Sequence, residues 1–141
     1  MTNIKTSELI GTQLDWAVAK CEGEPTSISG IFQYGKLTGE HIILHREQSD
    51  CFGRLQYSPS TEWTQGGPII ERECIATERR LTTGTDGVLV NAMGWRASCQ
   101  FDIDAFSYKI SEAGASPLIA AMRAYIASKL GDEVDIPDEL T

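Results

Sequence analysis

Two histidines, His41 and His45, sit four apart and are flanked by Glu40 and Glu47. On a strand or a helix the pair would share a face, and with a carboxylate it could hold a metal. No third ligand stands at metal spacing and there is no HExxH pattern, so the pair reads as polar residues of an edge strand. Asp102 and Asp104, two apart, read the same way, as solvated carboxylates on a strand face. Cys21, Cys51, Cys74 and Cys99 are widely spread, with no CxxC and no zinc spacing. A G-x-S-x-G elbow, a Walker loop and a G-x-G-x-x-G turn are all missing. Asp15, Glu62, Glu71 and Glu73 are available carboxylates, but no spacing marks a catalytic pair. The sequence therefore predicts no catalytic set, no metal and no cofactor.

One stretch gathers binding chemistry instead: YSPSTEWTQGGPIIERE, Tyr57 to Glu73. Ser58, Ser60 and Thr61 offer hydroxyls around a backbone stiffened by Pro59, which suits an anion or a ribose-like group. Trp63 supplies a flat face on which a planar ring can stack. Gln65 carries both a donor and an acceptor. Gly66 and Gly67 would allow positive φ and a close approach of backbone to ligand. Pro68 would launch Ile69 and Ile70 as a strand. Arg72 is the local cation for a phosphate. The competing reading is an ordinary turn whose tryptophan covers the edge of the core.

These residues need a frame. GTQLDWAVAKC (Gly11 to Cys21) reads as a helix with Thr12 as its cap and Gly23 as its stop. Leu14, Ala17, Val18 and Cys21 form its apolar stripe, and Trp16 lies off that stripe, free to pack in a second layer or to line a pocket. Short β-like runs follow at 29–35, 41–45 and 52–57, then over Gly66–Glu78 after a turn, and at 87–93, 95–101 and 106–110. Residues 82–87 read as a hairpin loop. SPLIAAMRAYIASKLG (Ser116 to Gly131) is the clearest element, with Ser116 as cap, Pro117 at the first helical position and Gly131 as the end. The acidic tail, 132–141, is expected to be partly ordered, with Val134 and Ile136 as an edge segment. The fold class is α+β: an N-terminal helix, a mainly antiparallel sheet of about five to seven short strands, and a C-terminal helix.

A chain of 141 residues forms one domain and buries a core without staples. Its formal net charge of -8 argues against DNA or RNA as partner, and Glu78-Arg79-Arg80 is too short for a basic patch. No run approaches a membrane span, and the first residues lack the apolar core of a signal peptide, so a cytoplasmic protein with reduced thiols is expected.

LDWAVAKCEG (Leu14 to Gly23), YSPSTEWTQGGPIIERE and SPLIAAMRAYIASKLGDEV (Ser116 to Val134) resemble, in this order, the NinX-like family of small proteins from temperate phages and prophages. The resemblance implies a phage origin and no established enzymatic activity. It picks out Leu14, Asp15, Trp16, Ala17, Ser58, Pro59, Ser60, Thr61, Trp63, Gln65, Gly66, Gly67, Pro68 and Arg72, with Trp95 as a later tryptophan. Residues 24–56 and 75–93 resemble nothing placed. For a small phage accessory protein with no catalytic set, the expected role is to bind and sequester a nucleotide-like small molecule, such as an antiphage immune signal, as a homo-oligomer. The alternative is a module that grips a host or phage protein through the same loop. The candidate ligand-binding residues are Trp16, Tyr57, Ser58, Ser60, Thr61, Trp63, Gln65, Gly66, Gly67, Arg72 and Trp95.

Overall fold

The Ser116 hydroxyl accepts the amide of Ile119 at 3.1 Å, Pro117 takes the first helical position and Gly131 closes the last turn. In the computed structural model the helix so defined, α3 (Pro117–Leu130), is the centre of the molecule. The structure describes residues 1–24, 26–33, 36–45, 54–83, 87 and 89–141; of residues 27, 29–33, 36–45, 54–55, 82–83 and 89–93 it describes the backbone alone.

Leu118, Ala120, Ala121, Met122, Ala124, Tyr125, Ile126 and Ala127 of α3 are all buried, so the helix is enclosed on most of its circumference. The alanines let neighbouring backbones come close. Against α3 pack α1 (Gly11–Glu22), α2 (Trp63–Arg72) and one face of a three-stranded antiparallel meander, β5 (Ala76–Thr83), β6 (Leu89–Ile103) and β7 (Phe106–Gly114). A second antiparallel meander, β2 (Thr26–Gln33), β3 (Lys36–His45) and β4 (Arg54–Tyr57), connects α1 to the loop before α2. A two-stranded antiparallel ribbon joins β1 (Thr2–Lys5) to β8 (Glu133–Ile136), with Thr2 opposite Ile136 and Lys5 opposite Glu133. The class is α+β, as the sequence predicts.

The tail follows the strand rule of alternation: Val134 and Ile136 point inward and are buried, Glu133 and Asp135 point out. Its partner β1 is not anticipated by the sequence, because four residues with a single isoleucine carry no period to read. The helix α1 ends as expected. Gly23 takes a left-handed φ of 69°, its amide reaches Lys20 O at 3.2 Å, and Glu24 N reaches Ala19 O at 3.1 Å. Its start differs: the cap position is Ile10, with no side-chain cap, and Thr12 lies inside the first turn.

The expected turn and strand over Gly66–Glu78 are corrected. Trp63–Arg72 is α-helix despite Gly66, Gly67 and Pro68, and the strand begins only at Ala76. Gly66, Ile69, Ile70 and Glu73 recur at i, i+3, i+4 and i+7, the spacing of one helix face, and of these Gly66 and Ile69 are fully buried. Pro68 lacks the amide that would bond to Thr64, but both residues are exposed, so water can serve the freed carbonyl. Cys74, at a φ of 51°, turns the chain out of the helix.

Among the described residues no helix is long and apolar enough to cross a membrane. The backbones of His41 and His45 both lie in β3, and their side chains fall outside the described residues, as do Glu47 and Cys51; of the loop expected at 82–87, residues 82–83 are instead the end of β5 and 84–86 lie outside the described residues.

Candidate functional site

Asp15 stands on the α1 face that carries Val18 and Ala19, three and four residues on, and it is 6% exposed. A buried carboxylate needs hydrogen bonds. Asp15 Oδ1 accepts the backbone amide of Ser60 at 2.9 Å. Burial pushes the Asp15 carboxyl up to about 6, and the bond from Ser60 opposes that rise. This contact pins the chain between β4 and α2.

The rest of that chain is held from within. Ser58 O accepts the amides of Thr61, at 3.1 Å, and Glu62, at 2.8 Å. The Gln65 side chain spans the turn: its Oε1 accepts Ser58 N at 2.6 Å and its Nε2 donates to Gln56 O at 2.8 Å. Pro59 is fully buried beneath it. Gly66 sits where a Cβ would collide with the Pro59 carbonyl and come within 2.6 Å of the Leu118 side chain, so the absence of a side chain lets α2, the loop and α3 close together. Neither Gly66 nor Gly67 has positive φ, contrary to the role expected for them. Gly67 lies under Trp63, whose Cε3 would be 3.9 Å from a Cβ there.

A cavity of about 310 Å³ opens beside this loop. One wall is Ser60, Thr61 and Trp63; the other is Ser116, Pro117, Leu118 and Ile119, the start of α3. Two helix N-termini therefore border one space. On α2 the Gln65 and Gly66 amides bond to Glu62 O, no side chain caps the helix, and Trp63 and Thr64 supply its first amides. Trp63 is 55% exposed at the rim. The Ser60 hydroxyl is buried and lies near enough to Asp15 to favour its charge, so it belongs to the anchor of the loop and is closed off from the open cavity.

Of the candidate residues, the structure brings Ser60, Thr61 and Trp63 to this cavity. Tyr57 is buried in the core, and Ser58, Gln65 and Gly66 hold the loop. Arg72 stands at the far end of α2, roughly 13 Å along the axis from Trp63. Its guanidinium donates to Glu22 at 2.6 Å and Glu73 at 3.3 Å and lies over the Tyr125 ring, so it joins the ends of α1 and α2 rather than facing the cavity. Trp16 packs at the edge of the core with Lys20 Nζ 5.3 Å from its ring centre, and Trp95 packs against the core from β6. The sequence reading missed Asp15 as the anchor and Ser116–Ile119 as the second wall. For Asp15 the signal was present: a lone acid three and four residues before apolar positions of its own helix.

The fold and the site define a small α+β domain with an aromatic-rimmed cavity at two helix starts. The family model described as Bacteriophage P22, NinX matches residues 5–129, and the chain belongs to that family. Among curated proteins none matches the chain.

Proposed function

We propose that this phage accessory protein binds and sequesters a nucleotide-derived small molecule at the Trp63 cavity. The observation that carries the reading is the meeting of an exposed tryptophan and two helix N-termini around one space. Helix starts favour negative charge, so a phosphate belongs inside, at the Trp63 end of α2. At about 310 Å³ the cavity takes a phosphate and sugar, which leaves the base to stack on the exposed indole. The protein acts as a sponge, without turnover, in the host cytoplasm. Exposed Ile103, Phe106 and Tyr108 on the β6–β7 hairpin support self-association.

The test is retention of a panel of cyclic nucleotides and ADP-ribose derivatives, followed by release of the ligand intact on denaturation. Binding tighter than about 10 μM, near −7 kcal/mol, is expected for one of them and is lost in Trp63→Ala. The reading fails for the panel if nothing binds at that level.

A second reading is favoured by the exposure of Trp63 itself: a rim tryptophan is also the typical anchor of a protein interface. A stoichiometric protein partner from infected lysate, lost in Trp63→Ala, with no nucleotide retained, selects it.

A further inference from the structure

A second cavity, of about 440 Å³, is lined by the end of β7 with Arg80, Gly94 and Arg123, and shares no residue with the first. Two glycines in its lining let backbone pack closely on backbone. Gly94, at a φ of 96°, faces Gly114, and a Cβ on Gly94 would come 2.9 Å from Gly114 O. A Cβ on Gly114 would in turn meet Ala120 N at 2.6 Å. Two arginines from different elements line the space, Arg80 of β5 and Arg123 of α3.

They are held differently. Arg123 donates through Nε to Leu9 O at 2.9 Å and through Nη1 to Ala113 O at 2.8 Å, which fixes its plane and leaves Nη2 uncommitted among the described residues. Arg80 is exposed, its Cδ lies over the Gly94 position at 3.9 Å, and it has no ion-pair partner among the described residues. Glu112 is the carboxylate in the lining, and burial pushes it up while Arg123 holds it down. Asp132 is the other acid that acts on it. Among the lining residues two guanidiniums stand against one carboxylate, in a chain whose net charge is -8.

We infer that this cavity binds a phosphomonoester of a small organic molecule. A tetrahedral head with three acceptor oxygens can take hydrogen bonds from two guanidiniums on different elements, whereas one carboxylate is satisfied by one arginine fork. The space exceeds a bare phosphate and falls within the ordinary range for small ligands, with Ala113 and Ala115 beside the organic body. A long polyanion is disfavoured by the net charge of -8 on the chain. The assignment is independent of the Trp63 reading.

The experiment is an NMR titration of the full chain with phenyl phosphate, following the arginine side-chain resonances, with benzoate as the carboxylate control. Saturable shifts of Arg80 and Arg123 are expected below about 10 mM, with benzoate weaker. Arg80→Ala weakens binding about tenfold or more, as loss of a charge-assisted pair should. Glu112→Gln tightens it by removing the opposing charge. The assignment is overturned if no saturable shift occurs, if Arg80→Ala binds as well as wild type, or if benzoate binds equally.

Discussion

Asp15 accepts the amide of Ser60 at 2.9 Å across 45 residues of sequence, so one buried carboxylate sets the position of the loop that borders the Trp63 cavity. Burial holds its folded pKa at about 6, above the ordinary value of 3.8 for an aspartate. Between those values the folded chain holds a proton that the unfolded chain has lost. Stability from this group is therefore greatest at low pH and falls as pH rises toward about 6, by about 3 kcal/mol in total. Asp15→Asn keeps an acceptor and removes the titration. Its stability relative to wild type should rise by about that amount between about pH 4 and pH 8 in urea denaturation. A difference independent of pH would show that Asp15 does not titrate in this window. Asp15→Ala should cost about 1–3 kcal/mol at low pH, because the Ser60 amide is left buried and unpaired.

Gly66→Ala tests the closure of α2 on the loop and α3. Helix propensity favours alanine by about 1 kcal/mol, yet the added methyl meets a backbone carbonyl that cannot step aside. A net loss of about 1–3 kcal/mol is expected in a chemical melt. A gain in stability would mean that the loop gives way.

Trp63 is 55% exposed, and the other two tryptophans are half-buried. Acrylamide should quench the wild-type emission more strongly than that of Trp63→Phe, whose maximum should move to the blue. Its stability should stay within about 0.5 kcal/mol of wild type, since little is packed on the indole. Equal quenching of both proteins would place Trp63 inside.

Arg72 and Glu22 should couple by about 0.5–1 kcal/mol in a double-mutant cycle at low salt, and less as salt is added, because the guanidinium is half exposed. Arg72→Ala should leave any ligand at the Trp63 cavity bound as before. A loss of binding with that variant would bring Arg72 back to the site.

Legibility in the sequence followed local consistency. In α3 the cap, the proline, the apolar spacing and the terminal glycine agree, and the helix could be bounded to the residue. In α2 they conflict. Gly66, Gly67 and Pro68 are poor helix residues, and the helix exists because Gly66 fits against Pro59 and Leu118 while Ile69 is buried, facts that belong to the tertiary structure. The site was legible in part for the same reason. Composition located Ser60, Thr61 and Trp63, but spacing alone could not separate residues that hold the loop, such as Gln65, from residues that face the space. Nor could it show that Arg72, nine positions on, is turned toward Glu22 by the helix.

The β1–β8 ribbon sets an order of assembly. Asn3 donates to Asp135 at 2.9 Å over a separation of 132 residues, and closing so wide a loop in an unstructured chain costs about 4 kcal/mol of entropy. The ribbon is best formed once α1 and α3 have already brought its strands together, which places it late on the folding route. Weakening it, for instance at the buried Ile136, should speed unfolding and leave refolding almost untouched, so the first strand acts as the latch of the fold rather than its seed.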